Sequence, residues 1–267
     1  MLKDITLGQY FPGDSFIHRL DPRTKLLMVV VYIVALFMAK SWLAYGLVIA
    51  FLALCIKVSH IPLKSITRGM QPVLVIVIFT GVLNLFFTQG THEIFTVFGF
   101  TLTWEAVERA AQMILRIMLL ITGTFLLTYT TSPIALTDGL ESLLNPLKKI
   151  KFPVHELSMM MCIALRFIPT LIEETDKIMS AQKARGADFE TGSLMERAKA
   201  LIPILVPLFI SAFRRADELA IAMECRCYQG GEGRTKLKQL HYTRLDFTAY
   251  GFGAVLILSI WLLSMVG

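Results

Sequence analysis

Charge is scarce in this chain. Only 17% of its 267 residues are Asp, Glu, Lys or Arg, against 55% hydrophobic residues. A soluble domain carries about 25% charged residues, and here the apolar residues come in blocks, which excludes an ordinary soluble fold and points to a multi-pass membrane protein. Cysteine is also sparse. Cys55, Cys162, Cys225 and Cys227 form no CxxC pair, and His241 stands alone beyond them, so no zinc-ligand set is present and the thiols read as free and reduced. The motifs of common chemistry are missing too. There is no HExxH and no GxSxG, and "GGEGRT" (230–235) has the wrong residues and spacing for a phosphate loop. The five histidines, His18, His60, His92, His155 and His241, are scattered. The chain therefore offers no catalytic site and no metal site of its own. A cleavable leader is not legible either, because residues 1–25 are polar and hold Lys3, Arg19, Arg23 and Lys25.

What is present is a set of five apolar blocks: Leu26–Ala39, Trp42–Ile56, Met70–Thr88, Ala111–Thr130 and Phe247–Val266. The first two span roughly 21–23 Å as helices, short for a bilayer; the others are long enough to cross. Lys and Arg set the orientation. With the N-terminus inside, residues 1–25 hold four basic residues, 57–69 three and 131–246 sixteen, whereas the outer loops hold almost none. The expectation is N-terminus cytoplasmic and C-terminus outside. A sixth apolar block, Leu201–Phe213, is short, broken by Pro203 and Pro207 and flanked by basic residues on both sides; it reads as cytoplasmic or interfacial. Arg116 falls inside the fourth span, with Glu105 and Glu108 on the same helix as its expected structural partners. The fold class is thus an all-α membrane protein with about five transmembrane helices and a cytoplasmic domain of long amphipathic helices: residues 1–130 membrane, 131–246 cytoplasmic, 247–267 the final span.

The cytoplasmic segment is nearly balanced, with sixteen Lys/Arg and fourteen Asp/Glu, so it is neither a polybasic lipid patch nor a nucleic-acid surface. Ser132-Pro133 starts a helix with Leu136, Leu140, Leu143 and Leu147 on one face, interrupted at Asn145-Pro146. A second helix starts at Pro153. Its seam runs through Leu157, Met161, Ala164, Ile168, Leu171, Thr175, Ile178 and Gln182, kinked at Pro169, and lands on Arg185, with Gly186 as the terminating residue. A third starts near Ser193. Its seam of Leu201, Leu205, Leu208, Ala212, Arg215, Leu219 and Ala222 lands on Arg226. Each Arg alone is what a helix dipole favours. The pair is more specific: both end long helices, both have Ala four residues earlier, and small neighbours let a guanidinium enter a groove and donate in a fixed fork.

Three stretches, "GQYFPGDSFIHRLDPRTKLL" (8–27), "LRFIPTLIEETDKIMSAQKARGADF" (165–189) and "ECRCYQGGEGRT" (224–235), resemble the transmembrane T component of energy-coupling factor (ECF) transporters. The resemblance runs from the first residues to about 235. It implies a non-catalytic subunit of an ATP-driven vitamin or micronutrient importer, with ATP and Mg held by two partner ABC-type ATPases, substrate held by a separate membrane S component, and no cofactor bound by this chain. It implies that each coupling helix ends in an Ala-Arg-Gly motif docking on one ATPase. Ala184, Arg185 and Gly186 match the first motif; Arg226 matches the second, but Cys225 and Cys227 replace its Ala and Gly. The turn at that end is therefore assigned to Gly230 or Gly231, and the asymmetry implies non-identical ATPases. Leu140, Leu143, Leu147, Leu201, Leu205 and Leu208 are the expected S-component contacts. A conventional importer permease would line its own substrate path and carry one coupling helix; a membrane enzyme would need acidic or histidine groups converging within its spans.

Overall fold

The computed structural model describes residues 10–87, 93–97, 100–189, 191, 193–231 and 239–266. The chain divides into two compact units: Gly8–Leu140 with Leu240–Gly267, and Glu141–Gln239.

The first unit holds a short α1 (Phe16–Arg19), then α2 (Pro22–Met38), α3 (Trp42–Ser59), α4 (Leu63–Phe87), α5 (Trp104–Thr130), the start of α6 (Pro133–Leu144) and, after the chain returns, α9 (Arg244–Val266). Between α4 and α5, strands β1 (Glu93–Val97) and β2 (Phe100–Thr103) pair antiparallel; this hairpin is the one departure from an all-helical fold among the described residues. Helix α2 packs on α9 and α5, and α4 packs on α5. The shared core holds Tyr32, Leu36, Tyr45, Val48, Leu119 and Ile260. Close approach is bought by small residues, as membrane helix pairs require: a Cβ on Gly123 would collide with the Tyr32 ring, and the Tyr32 hydroxyl instead donates to the Leu119 carbonyl at 2.8 Å.

Among the described residues five helices are long and apolar enough to cross a membrane: α3, α4, α5, α7 and α9. The number matches the sequence reading, but the set differs. Helix α2 has 17 residues, about 25 Å at 1.5 Å per residue, short of a hydrocarbon core of roughly 30 Å. Helix α7 qualifies because its first half is Met- and Leu-rich, although Glu156, Arg166 and the acidic run from Glu173 lie along it.

The start of α2 is held by a polar knot. Asp21 caps it, accepting from the Arg23 N–H at 2.9 Å, and pairs with the Arg23 guanidinium at 3.0 Å. That guanidinium lies 4.1 Å over the Tyr242 ring. Asp246, fully buried, accepts from the Asp21 N–H at 2.9 Å and from the Thr243 N–H and hydroxyl at 2.7 Å each. Lys25 is buried and donates to the His18 and Thr130 carbonyls. Both cations thus turn into the protein: Arg23 lies over Tyr242, just ahead of α9, and Lys25 ties the start of α2 to the end of α5.

Arg116 likewise departs from expectation. Its guanidinium donates to the Tyr45 hydroxyl at 2.8 and 3.1 Å and to the Ala39 carbonyl at 3.2 Å, the residue that ends α2. Glu108 instead accepts from the Trp42 indole N–H at 2.9 Å. A cation at the carbonyl end of α2 meets the negative pole of that helix, which removes the need for a carboxylate partner.

The second unit begins at the end of α6, where Glu141 accepts from the Ser158 hydroxyl at 3.0 Å and pairs with His155 at 3.2 Å. A 3-10 turn at Asn145–Ile150 follows, as the Asn-Pro interruption predicts. Two long helices, α7 (Val154–Ala184) and α8 (Leu194–Cys225), pack on each other and fill the rest.

Candidate functional site: two arginine-capped helix ends

Helix α8 starts where the sequence places it. Ser193 and Glu196 form a reciprocal capping box, with Ser193 N–H donating to the Glu196 carboxylate at 2.8 Å. Pro207 has no N–H, so the Pro203 carbonyl lacks its intrahelical donor. The Gln182 side-chain amide of α7 approaches that carbonyl at 3.4 Å. Further along, Arg215 of α8 pairs with Glu174 of α7 at 3.0 Å. Partner numbers on α8 fall as those on α7 rise, so the two helices run antiparallel where they touch.

The two ends are copies of one another at a spacing of 41 residues. At the end of α7, the Gly186 N–H donates to the Lys183 carbonyl and the Ala187 N–H to the Gln182 carbonyl, both at 3.0 Å. At the end of α8, the Cys227 N–H donates to Glu224 at 2.8 Å and the Tyr228 N–H to Met223 at 3.0 Å. This is the double-bonded Schellman ending. Arg185 and Arg226 are the respective helix caps. The ion pair that joins the helices is spaced by the same 41 positions, so each cap lies eleven residues beyond it, an arm of about 16 Å, on opposite sides of the contact. Both Arg side chains are exposed, and neither makes a hydrogen bond or ion pair with the described residues.

The turn-forming residue at the second end is Cys227 itself, with φ +56°. Gly186 takes the equivalent place at the first end with φ +85°. The assignment of that turn to Gly230 or Gly231 is thus corrected: Gly230 also has positive φ (+96°), but it lies five residues beyond Cys225, the last residue of the helix, while Gly231 packs against His155. A side chain in the left-handed region costs about 1 kcal/mol or more. Cys227→Gly is therefore expected to tighten the last turn of α8 by about 1 kcal/mol, slowing amide exchange at Cys227 and Tyr228 roughly fivefold; unchanged exchange would show that this end is not under that strain.

Ala184, Cys225 and Cys227 flank the guanidinium groups and are exposed. The six leucines divide. Leu140, Leu143, Leu147 and Leu208 are half-buried, whereas Leu201 and Leu205 face outward. Along the first turns of α8 the buried seam runs through Ile204, not Leu201 or Leu205, and rejoins the predicted one at Leu208. The opposite face, with Ile202, Val206, Phe209, Ile210 and Phe213 beside Leu201 and Leu205, is exposed. A continuous apolar face of this kind marks a contact surface. No group of three or more metal-ligating side chains occurs among the described residues.

The family model described as cobalt transport protein (CbiQ) matches residues 13–237. A protein of Ruminiclostridium cellulolyticum named energy-coupling factor transporter transmembrane protein EcfT is 51% identical over 267 residues, all of this chain and 99% of its own. Proteins of the same name from Clostridium kluyveri and Bacillus subtilis are 54% identical over 267 residues and 49% over 246, covering 98% and 93% of their own lengths.

Proposed function

The chain belongs to the CbiQ family, among the energy-coupling transmembrane components of ECF transporters, and on that premise we propose how it couples. Arg185 and Arg226 each dock on one of two ABC-type ATPases, and a substrate-binding membrane S component is met by the exposed apolar face of α8 and by Leu140, Leu143 and Leu147. ATP and Mg belong to the ATPases; this chain transmits movement and catalyses nothing. The observation that carries this reading is the matched pair of helix ends: the same hydrogen bonds, the same exposed unpaired Arg, and the same eleven-residue arm from one ion pair.

The mechanism follows from those arms. The Glu174–Arg215 pair and the Gln182 contact tie α7 to α8, so a displacement at either tip moves both helices. ATP-driven closure of the ATPase pair draws the two tips together and turns the α8 face against the S component. The second unit is cytoplasmic in this scheme, α7 included, because its charged second half accompanies the motor. The N-terminus is cytoplasmic and the C-terminus outside. Cys225 and Cys227 in place of Ala and Gly make the second tip bulkier, which fits two non-identical ATPases. The transported compound, a vitamin or micronutrient, is chosen by the S component. Affinity purification of the full chain from its native membrane tests this: two ATPases and a small membrane protein are expected with it, and ATP hydrolysis only when the ATPases are present. Purification as a lone, self-sufficient permease would refute it.

A further inference from the structure

The membrane unit contains a cleft of about 460 Å³ among α1, α2, α3, α5 and α9. Phe16, Leu54 and Phe252 in its wall are exposed, while Tyr32 and Gly123 are buried and close its deep end. Lys25 is the one charged residue in that wall, and its ammonium is already committed to the His18 and Thr130 carbonyls at 3.1 and 2.9 Å. The interior thus offers no free charge and fits a hydrocarbon.

Its depth identifies which hydrocarbon. Within α2 the wall runs from Lys25 to Tyr32, seven residues along the helix, about 10 Å at helical rise. On α3 and α5 the wall residues fall in the last turns, Phe51–Val58 and Gly123–Thr130; on α9 they fall near the start, at Ala249 and Phe252. The cleft therefore penetrates from one membrane surface only and stays within one leaflet of a hydrocarbon core of roughly 30 Å. Two basic residues adjoin the wall in sequence. Arg19 precedes the wall residue Leu20, and Lys57 precedes the wall residue Val58; both are exposed and neither pairs with a described residue. Helix α1 packs on α3, which brings these two elements to the same end.

We infer that this cleft is a binding site for one acyl chain of an anionic phospholipid, drawn from the leaflet on the α1 side, with the headgroup phosphate held at Arg19 and Lys57. The membrane lipid is a structural ligand of the coupling component, seated against the helix pair α2–α9 whose polar knot ends at the same surface. The site lies wholly in the membrane unit and is independent of the proposed docking of the Arg tips.

Native mass spectrometry of the full chain, in the complex with which it purifies, released from nanodiscs of equal phosphatidylglycerol and phosphatidylcholine, tests the assignment. One phosphatidylglycerol retained per chain is expected, favoured about tenfold over phosphatidylcholine by the two basic residues. Arg19→Glu with Lys57→Glu, two exposed changes that leave the fold intact, should bring the two lipids to parity or below. Val29→Trp, which fills the cleft, should remove the retained lipid. ATPase association, measured on the same samples, should not change, so failure here is distinguishable from failure of the docking scheme. Equal retention of both lipids by the unaltered chain, or undiminished phosphatidylglycerol in the charge-reversed variant, would overturn the inference. So would lipid retained by the isolated chain but absent from the assembled complex, because a polypeptide would then fill the cleft.

Discussion

Arg185→Glu combined with Arg226→Glu is expected to leave the chain folded in the membrane and to strip it of both ATPases. The two side chains are exposed and unpaired in the isolated chain, so their loss removes no internal contact. A carboxylate at a helix C-terminus costs only about 1 kcal/mol against the dipole. At a docked interface the same change removes an Arg anchor and places a negative charge where acceptors stand. Losing one partner of a buried charge-assisted bond costs about 2–5 kcal/mol, roughly a hundredfold in affinity per tip. Because the two tips act together on one assembly, a single reversal should weaken the complex and the double reversal abolish it. Arg185→Lys separates charge from geometry: a lysine keeps the charge and loses the fork, so an intermediate loss is expected. Co-purification of the ATPases and ATP-driven uptake are the readouts. Normal assembly of the double variant would contradict the docking scheme.

The largest stability effect is expected at Asp246, far from either tip. Its carboxylate is fully buried and accepts three hydrogen bonds from Asp21 and Thr243. Asp246→Ala leaves the Asp21 and Thr243 donors buried without an acceptor and removes the tie between the starts of α2 and α9. A cost of about 3–5 kcal/mol follows from stranding buried groups of this kind. Asp246→Asn keeps one acceptor oxygen and should lose about half as much. Thermal denaturation in detergent, followed by loss of monodisperse protein, distinguishes the three forms. Equal stability of the alanine variant and the unaltered chain would show that the knot does not hold α2 to α9.

Local rules made the coupling helices legible. Ser193 announces a helix start and Gly186 announces a stop, because both depend on neighbours a few residues away. The 41-residue repeat of Ala and Arg was visible for the same reason. What sequence periodicity could not settle is which side of α8 meets α7. Leu201, Ile204 and Leu205 are equally apolar, and only the folded packing singles out Ile204 for burial. Cys227 in the left-handed region was missed because its composition argues against that conformation; the Schellman bonds at this end enforce it. Asp246 was missed because its partner Asp21 lies 225 residues away. Arg116 was given a carboxylate partner on its own helix, whereas the carbonyl end of α2 and the Tyr45 hydroxyl serve it.

Alkylation by a water-soluble maleimide tests the central claim most directly, since native thiols flank one tip. Cys225 and Cys227 are exposed in the isolated chain, and Ala184→Cys supplies the same reporter at the other. In the assembled, transport-competent complex, all three positions are predicted to react at least tenfold more slowly than in the isolated chain. Labelling of either tip at the same rate in both would contradict the account.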